Sequence, residues 1–139
     1  MILGVGLDVA EISRIRDSLD RFGARFTDRV LTGAEAAGMP KSDPAPYVAA
    51  RFAAKEAAAK ALGTGFAQGV TQVSIEVVSL PSGAPTLKLH GKALEIADAM
   101  GVQSMHISLT HGRDIAAATV ILEGAPQLSP SSHTPCQSP

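Results

Sequence analysis

Alternation opens the chain. In "ILGVGLDVA" (2–10), Ile2, Gly4, Gly6 and Asp8 interleave with Leu3, Val5, Leu7 and Val9. A period of two predicts a first strand with one face packed on a core, and it puts Asp8 on the face opposite the large apolar residues. From Glu11 to Phe22 the period lengthens, with Ile12, Ile15, Leu19 and Phe22 recurring at three- and four-residue steps. That spacing predicts a helix. Ser42, Asp43 and Pro44 predict the start of a second helix, with Asp43 as N-cap and Pro44 in the first turn, running to about Leu62. Gly63 is its stop signal, and Gly65 and Gly69 keep the following loop permissive.

Alternation returns in "VTQVSIEVV" (70–78) and, beyond the turn-forming "LPSGAP" (80–85), in "TLKLH" (86–90), which together predict a hairpin. A third helix is expected over 92–100, closed by Gly101. The stretch "MHISLTHGRDIAAATVILE" (105–123) holds two apolar alternating runs around Gly112, Arg113 and Asp114, which read as a closing antiparallel hairpin. The order is that of a single α+β domain, a mostly antiparallel sheet packed with about three helices. This domain is expected over 1–123. The remainder, "GAPQLSPSSHTPCQSP" (124–139), has four prolines and four serines in sixteen residues, and its low apolar content predicts a flexible tail.

With 139 residues, 45% of them hydrophobic, the chain suffices for one sizeable core and not for two. Twelve basic residues nearly balance thirteen acidic ones, so the overall charge points neither to nucleic acid nor to a polybasic membrane contact. Any charge-based recognition is local. No run has the length of a membrane span, and "MILGVGLD" meets Asp8 with no basic segment before it, so a cytoplasmic protein is expected. Cys136, the only cysteine, has no intrachain disulfide partner, which argues against redox chemistry.

Local charge is more informative. Arg14, Arg21 and Arg25 recur at steps of seven and four, within about 40° of one another on a helix that reaches Arg25. This basic stripe lies roughly 120° from the mean direction of the helix's apolar residues; by itself it reads first as a solvated helix face, and it also suits an acidic partner. In the alanine-rich "RFAAKEAAAKALGTG" (51–65), Glu56 and Lys60 share one helix face. An ordinary Glu–Lys pair of this kind is worth about 0.2–0.5 kcal/mol, and Asp8 alone is an ordinary solvated carboxylate. A hard cation between Asp8 and Glu56 gives both a task, since Mg²⁺ commonly takes one or two carboxylates and leaves its other positions to water and phosphates. Lys60 then reaches a phosphoryl oxygen, and the amides of Gly63, Thr64 and Gly65 are placed to line the same anion.

Four stretches, "GLDVAEISRI" (6–15), "RFAAKEAAAKALGTG" (51–65), "SGAPTLKLHGKA" (82–93) and "HISLTHGRDIAAATVILE" (106–123), closely resemble the holo-(acyl-carrier-protein) synthases, small bacterial 4'-phosphopantetheinyl transferases. The resemblance spans essentially 1–123. It implies the 4'-phosphopantetheinyl transferase fold and transfer of phosphopantetheine from coenzyme A to a serine of apo acyl carrier protein, releasing adenosine 3',5'-bisphosphate in the service of fatty acid biosynthesis. It also implies a homotrimer with sites between subunits. Residue by residue, the family's magnesium ligands fall on Asp8 and Glu56 and its phosphate-binding lysine on Lys60, the three expected catalytic residues. Arg51 resembles the arginine that contacts coenzyme A phosphate, and Gly63, Thr64, Gly65, the turn with Ser82, Gly83 and Pro85, His106 and Thr110 match positions lining the nucleotide. The family docks the acidic helix of acyl carrier protein on the helix that bears Arg14 and Arg21.

Departures are few. Val73 stands where an aromatic residue is common, and "GAEAAGMPKSDPAP" matches the variable middle loosely. His111 shares a strand face with Ile107 and Leu109 and reads as a structural histidine, and Lys55, which matches the motif but lies beside Arg51 rather than Lys60 on the helix, is an open candidate for anion binding. Two rivals use similar parts: a Mg²⁺-dependent nucleotide pyrophosphohydrolase, and a non-catalytic module that binds coenzyme A or carrier protein. Paired carboxylates without a metal would repel each other beside an anionic ligand, which disfavours the binding module. The acceptor of the serine proton stays open between solvent at the metal and the two carboxylates.

Overall fold

A computed structural model of the chain describes residues 1–126. The tail expected over 124–139 lies outside the described residues from 127 onward. The alternation at the N-terminus forms β1 (Ile2–Glu11), followed by α1 (Ile12–Phe22), α2 (Ala24–Val30), α3 (Gly33–Ala37) and α4 (Ala45–Ala61). A hairpin of β2 (Ile75–Ser79) and β3 (Pro85–Leu89), then α5 (Gly91–Met100), β4 (Val102–His111) and β5 (Ile115–Gly124), complete the order. Every pairing is antiparallel. One sheet has the order β1-β5-β4 and the other is the β2-β3 hairpin.

The α+β expectation holds, with five α-helices among the described residues in place of about three. Two were missed because α2 and α3 have seven and five residues, too few for a periodic signal. Gly23, at φ +52, separates α1 from α2. Strand β2 starts five residues later than expected. The Ser74 hydroxyl donates to the Thr71 carbonyl and accepts from the Thr71 amide, which draws Gln72–Ser74 into a 3₁₀ turn. Asp43 does not cap α4: Pro44 holds that position, and the Asp43 carboxylate binds Arg16 instead.

The buried face of β1 is the reverse of what apolar size suggests. Asp8 does lie opposite Val5, Leu7 and Val9, but those three are 59%, 64% and 53% exposed, while Gly6 and Ala10 are buried. The helix explains why. α4 buries eleven of its seventeen residues, nine of them alanines, and lies so close to β1 that a Cβ on Gly4 or Gly6 would stand 2.0 or 1.8 Å from the carbonyl oxygens of Ala61 and Ala57. Small residues on both sides allow that approach. Ala116, Ala118, Val120 and Leu122 of β5 complete the layer under α4. Asp8 and α4 therefore meet on the inner side of an edge strand, which places the candidate site.

Candidate active site

Where α4 crosses β1, three sequence-predicted residues converge. The Lys60 ammonium donates to Asp8 Oδ1 at 2.8 Å and to the Leu7 carbonyl at 3.1 Å. Asp8 is mostly shielded and Lys60 half exposed, so the pair is open to solvent on one side. The hydrogen bond to Asp8, and then its charge, hold the Lys60 pKa above its ordinary value. Glu56 lies one turn back on the same helix. Partial burial, and then the Asp8 charge, raise its pKa, and Lys60 only partly offsets them. The corner thus sets two carboxylates around one half-exposed cation.

Such a pair fits a hard divalent ion. Both donors are carboxylate oxygens, and among the described residues no group of three or more His, Cys, Asp or Glu side chains forms an all-protein cage. Two carboxylates leave most of an octahedral shell for water and substrate oxygens, which is the habit of Mg²⁺ rather than of Ca²⁺ or Zn²⁺.

The turn after α4 behaves differently from the expected amide cradle. Gly63 donates to the Lys60 carbonyl, and Thr64 and Gly65 both donate to that of Ala59. These amides are spent on closing the helix. With φ of +78 and +56, Gly63 and Gly65 form that closure without strain, and a Cβ at either would meet nothing within 4 Å. The segment offers an open surface beside Lys60 instead of free donors.

With the geometry in place, comparison with known proteins decides the family. The model described as ACPS, 4'-phosphopantetheinyl transferase superfamily, matches residues 4–120. The chain belongs to this superfamily. A holo-[acyl-carrier-protein] synthase of Maridesulfovibrio salexigens is 59% identical over 123 residues, 88% of this chain and 99% of that one. The holo-[acyl-carrier-protein] synthase of Neisseria meningitidis superposes with a TM-score of 0.81 at 35% identity, over 88% of this chain and 99% of that one. A holo-(acyl-carrier-protein) synthase of Bacillus anthracis, solved in complex with CoA (3',5'-ADP), gives 0.74 at 37% identity, over 90% and 99%.

The remaining candidate residues of this superfamily member lie elsewhere in the chain. Arg51 and Thr110 line a depression of about 370 Å³ with Tyr47, Asp43 and His111. Register places Asp8 beside Ala118 and Ala118 beside Leu109, so the depression borders the opposite edge strand from Asp8, two strand spacings or on the order of 10 Å away. Ser82 and Gly83 (φ +87) lie at the tip of the β2-β3 hairpin. Next to this turn Pro85 pairs with Ser79, which lines a second depression with Arg51 and Tyr47. His106, Ser108 and Thr110 share the outward sheet face with Val5, Leu7 and Val9, and His106 Nε2 lies 3.6 Å from Glu123 Oε1. One chain therefore carries two separated groups of candidates.

Three readings change. His111 is exposed and lines the Arg51 depression, so it is not a satisfied core histidine. Phe22, expected on the inner face of α1, is 49% exposed beneath the Arg21 guanidinium. The basic stripe holds for Arg14 and Arg21 only, because Arg25 belongs to α2. Arg25 still flanks the same surface, in a hollow lined by Ser18, Phe22, Phe26 and Arg29. A neighbouring hollow joins Arg14 to Ser18 and Phe26.

Sequence reasoning missed one network outright. Lys55 is fully buried, donating to Glu35 Oε1 and to the Gln72 carbonyl. Burial lowers the Lys55 pKa and the Glu35 contact opposes that shift. Glu35 also accepts from the Thr32 and Val77 amides, tying α3, α4 and β2 together. The available signal was Thr32 followed three residues later by Glu35, the capping pair that starts α3.

Proposed function

We propose that this protein moves 4'-phosphopantetheine from coenzyme A to a serine of apo acyl carrier protein in a Mg²⁺-dependent reaction. The observation that carries the reading is the convergence of Asp8, Glu56 and Lys60 where α4 crosses β1. The serine hydroxyl gives up its proton to solvent or to one of the two carboxylates, its oxygen bonds to the phosphorus bearing the pantetheine arm, the diphosphate bridge breaks, and adenosine 3',5'-bisphosphate leaves with the bridging oxygen. Asp8 and Glu56 would hold the magnesium ion, which would supply charge neutralisation on the diphosphate. Lys60, half exposed beside Asp8, is placed to bind a phosphoryl oxygen. The glycine turn beside it keeps the approach clear of side chains. Intact-mass spectrometry of apo carrier protein incubated with the enzyme, coenzyme A and Mg²⁺ tests this: a gain of one phosphopantetheine is expected. Coenzyme A cleaved with an unmodified carrier would mean a hydrolase, and both left intact would mean a binding module.

The second group of residues belongs, in this reading, to a neighbouring copy of the chain. Arg51, Ser82, Gly83, Pro85, His106 and Thr110 lie away from the Asp8 corner, and the outward sheet face exposes Val5, Leu7 and Val9. A cytoplasmic homotrimer with composite sites between subunits satisfies both facts. No helix among the described residues is long and apolar enough to cross a membrane. Leu7→Glu, which charges the centre of the exposed face, should convert a trimer to monomers in analytical ultracentrifugation and abolish turnover. A fully active monomer would defeat the composite site.

Arg14 and Arg21, with Arg25 at the margin, dock the acidic carrier protein. Arg14→Glu with Arg21→Glu should raise KM for carrier protein at least tenfold, with little change in KM for coenzyme A, and wild-type docking should weaken with salt. Unchanged carrier kinetics would move the docking surface elsewhere.

A further inference from the structure

Arg51 is a cation held in place with almost nothing bound to it. Its guanidinium carbon lies 3.5 Å from the centroid of the Tyr47 ring, one turn earlier on α4. Of its five donors, Nη1 makes a long contact of 3.4 Å to the Tyr47 carbonyl, and Nε is enclosed without a partner. Among the described residues, none of the carboxylates around it forms an ion pair with it. Asp43 is held by Arg16 at 3.2 Å through both oxygens, Glu35 by Lys55, and Glu76 lies 3.6 Å from His90. Arg51 thus lines two depressions with no carboxylate bonded to its guanidinium. An anion is the ligand that completes it.

Tyr47 is fixed at both ends. Its backbone lies in the first turn of α4, and its hydroxyl donates to the Glu35 carbonyl at 2.6 Å. Glu35 is itself immobilised by Lys55 and by the Thr32 and Val77 amides. A tethered ring cannot swing aside, so the guanidinium stacked on it keeps one plane. An arginine already ordered gives up less rotamer freedom when it binds a phosphate.

We propose that Tyr47 is a positioning residue that pre-forms Arg51 as the receptor for a phosphate of coenzyme A. The inference rests on the reading of Arg51 given above, and it concerns affinity for coenzyme A rather than the chemical step. Removing the ring by Tyr47→Leu should raise KM for coenzyme A, and its dissociation constant by calorimetry, about threefold to thirtyfold, with kcat and the carrier-protein KM within about twofold. Tyr47→Phe keeps the ring but loses its tether, and should recover only part of that loss. In an Arg51→Ala background, Tyr47→Leu should add nothing. Should Tyr47→Leu not fold, Arg51→Lys serves in its place: it keeps the charge, loses the stacked plane, and should weaken coenzyme A binding by a similar factor.

The outcomes separate the two claims. If Arg51→Ala weakens coenzyme A binding while Tyr47→Leu leaves it intact, or if the two losses are independent, Tyr47 does not position Arg51. Arg51→Lys with wild-type affinity would overturn the proposal in the same way. If Arg51→Ala itself changes nothing, the assignment of Arg51 to the coenzyme A site falls first.

Discussion

Glu56→Gln is expected to lower kcat by roughly a hundredfold or more at saturating coenzyme A and carrier protein, while the melting temperature stays level or rises. The two halves of this expectation have one cause. Glu56 is half-buried on α4, and burial and the nearby Asp8 charge hold its carboxyl above the usual glutamate range. The folded protein therefore binds that proton more tightly than the unfolded chain does. Stability falls as pH rises from the ordinary glutamate value through the raised one, and above that window the native state carries the full cost of an ionised Glu56. Glutamine has the same shape and no charge, so it relieves the repulsion at the same time as it removes a metal donor. The check is a pair of measurements across about pH 4 to 8: turnover against Mg²⁺ concentration, and melting temperature against pH. The variant should gain on the wild type in stability as pH rises. Wild-type turnover at limiting Mg²⁺ would take Glu56 out of the site.

Much of that corner was legible before any coordinates, because it depends on short-range periodicity. Four residues on a helix bring Glu56 and Lys60 to one face, and the two-residue repeat of β1 separates Asp8 from Val5, Leu7 and Val9. What periodicity does not carry is which face a neighbour covers. The apolar side of β1 was the natural choice for the core, but the close approach of α4 reverses it. The signal was Gly4 and Gly6 two apart in a strand, opposite a helix rich in alanine. Lys55 failed for a related reason: its partner Glu35 is twenty residues away, and only tertiary packing makes a buried lysine acceptable. Arg25 looked continuous with Arg14 and Arg21 because angular arithmetic does not register the break at Gly23. The separation of His106 and Thr110 from Asp8 follows from strand order, which no local pattern encodes.

The face reversal also yields the largest expected effect on stability. In Gly6→Ala the new Cβ would stand 1.8 Å from the Ala57 carbonyl oxygen and 2.7 Å from its carbonyl carbon. Both obstacles are backbone, so no rotamer change relieves the clash, and α4 must lift from β1. Overpacking elsewhere in protein cores costs about 1–3 kcal/mol, and a rigid backbone contact belongs at or beyond the upper end. For a domain of this size, a melting temperature lower by about 10 °C or more, or failure to fold, is the expected outcome. Activity should fall further than the folded fraction does. Lifting the helix draws Glu56 and Lys60 away from Asp8, and misplacement by about 1 Å is enough to cost on the order of a hundredfold in rate. Gly33→Ala is the control, since a Cβ there meets nothing within 4 Å and should leave both quantities near wild type. A Gly6→Ala protein that melts and turns over like the wild type would show that α4 does not need its close seat on β1. The glycine face would then have no part in building the site.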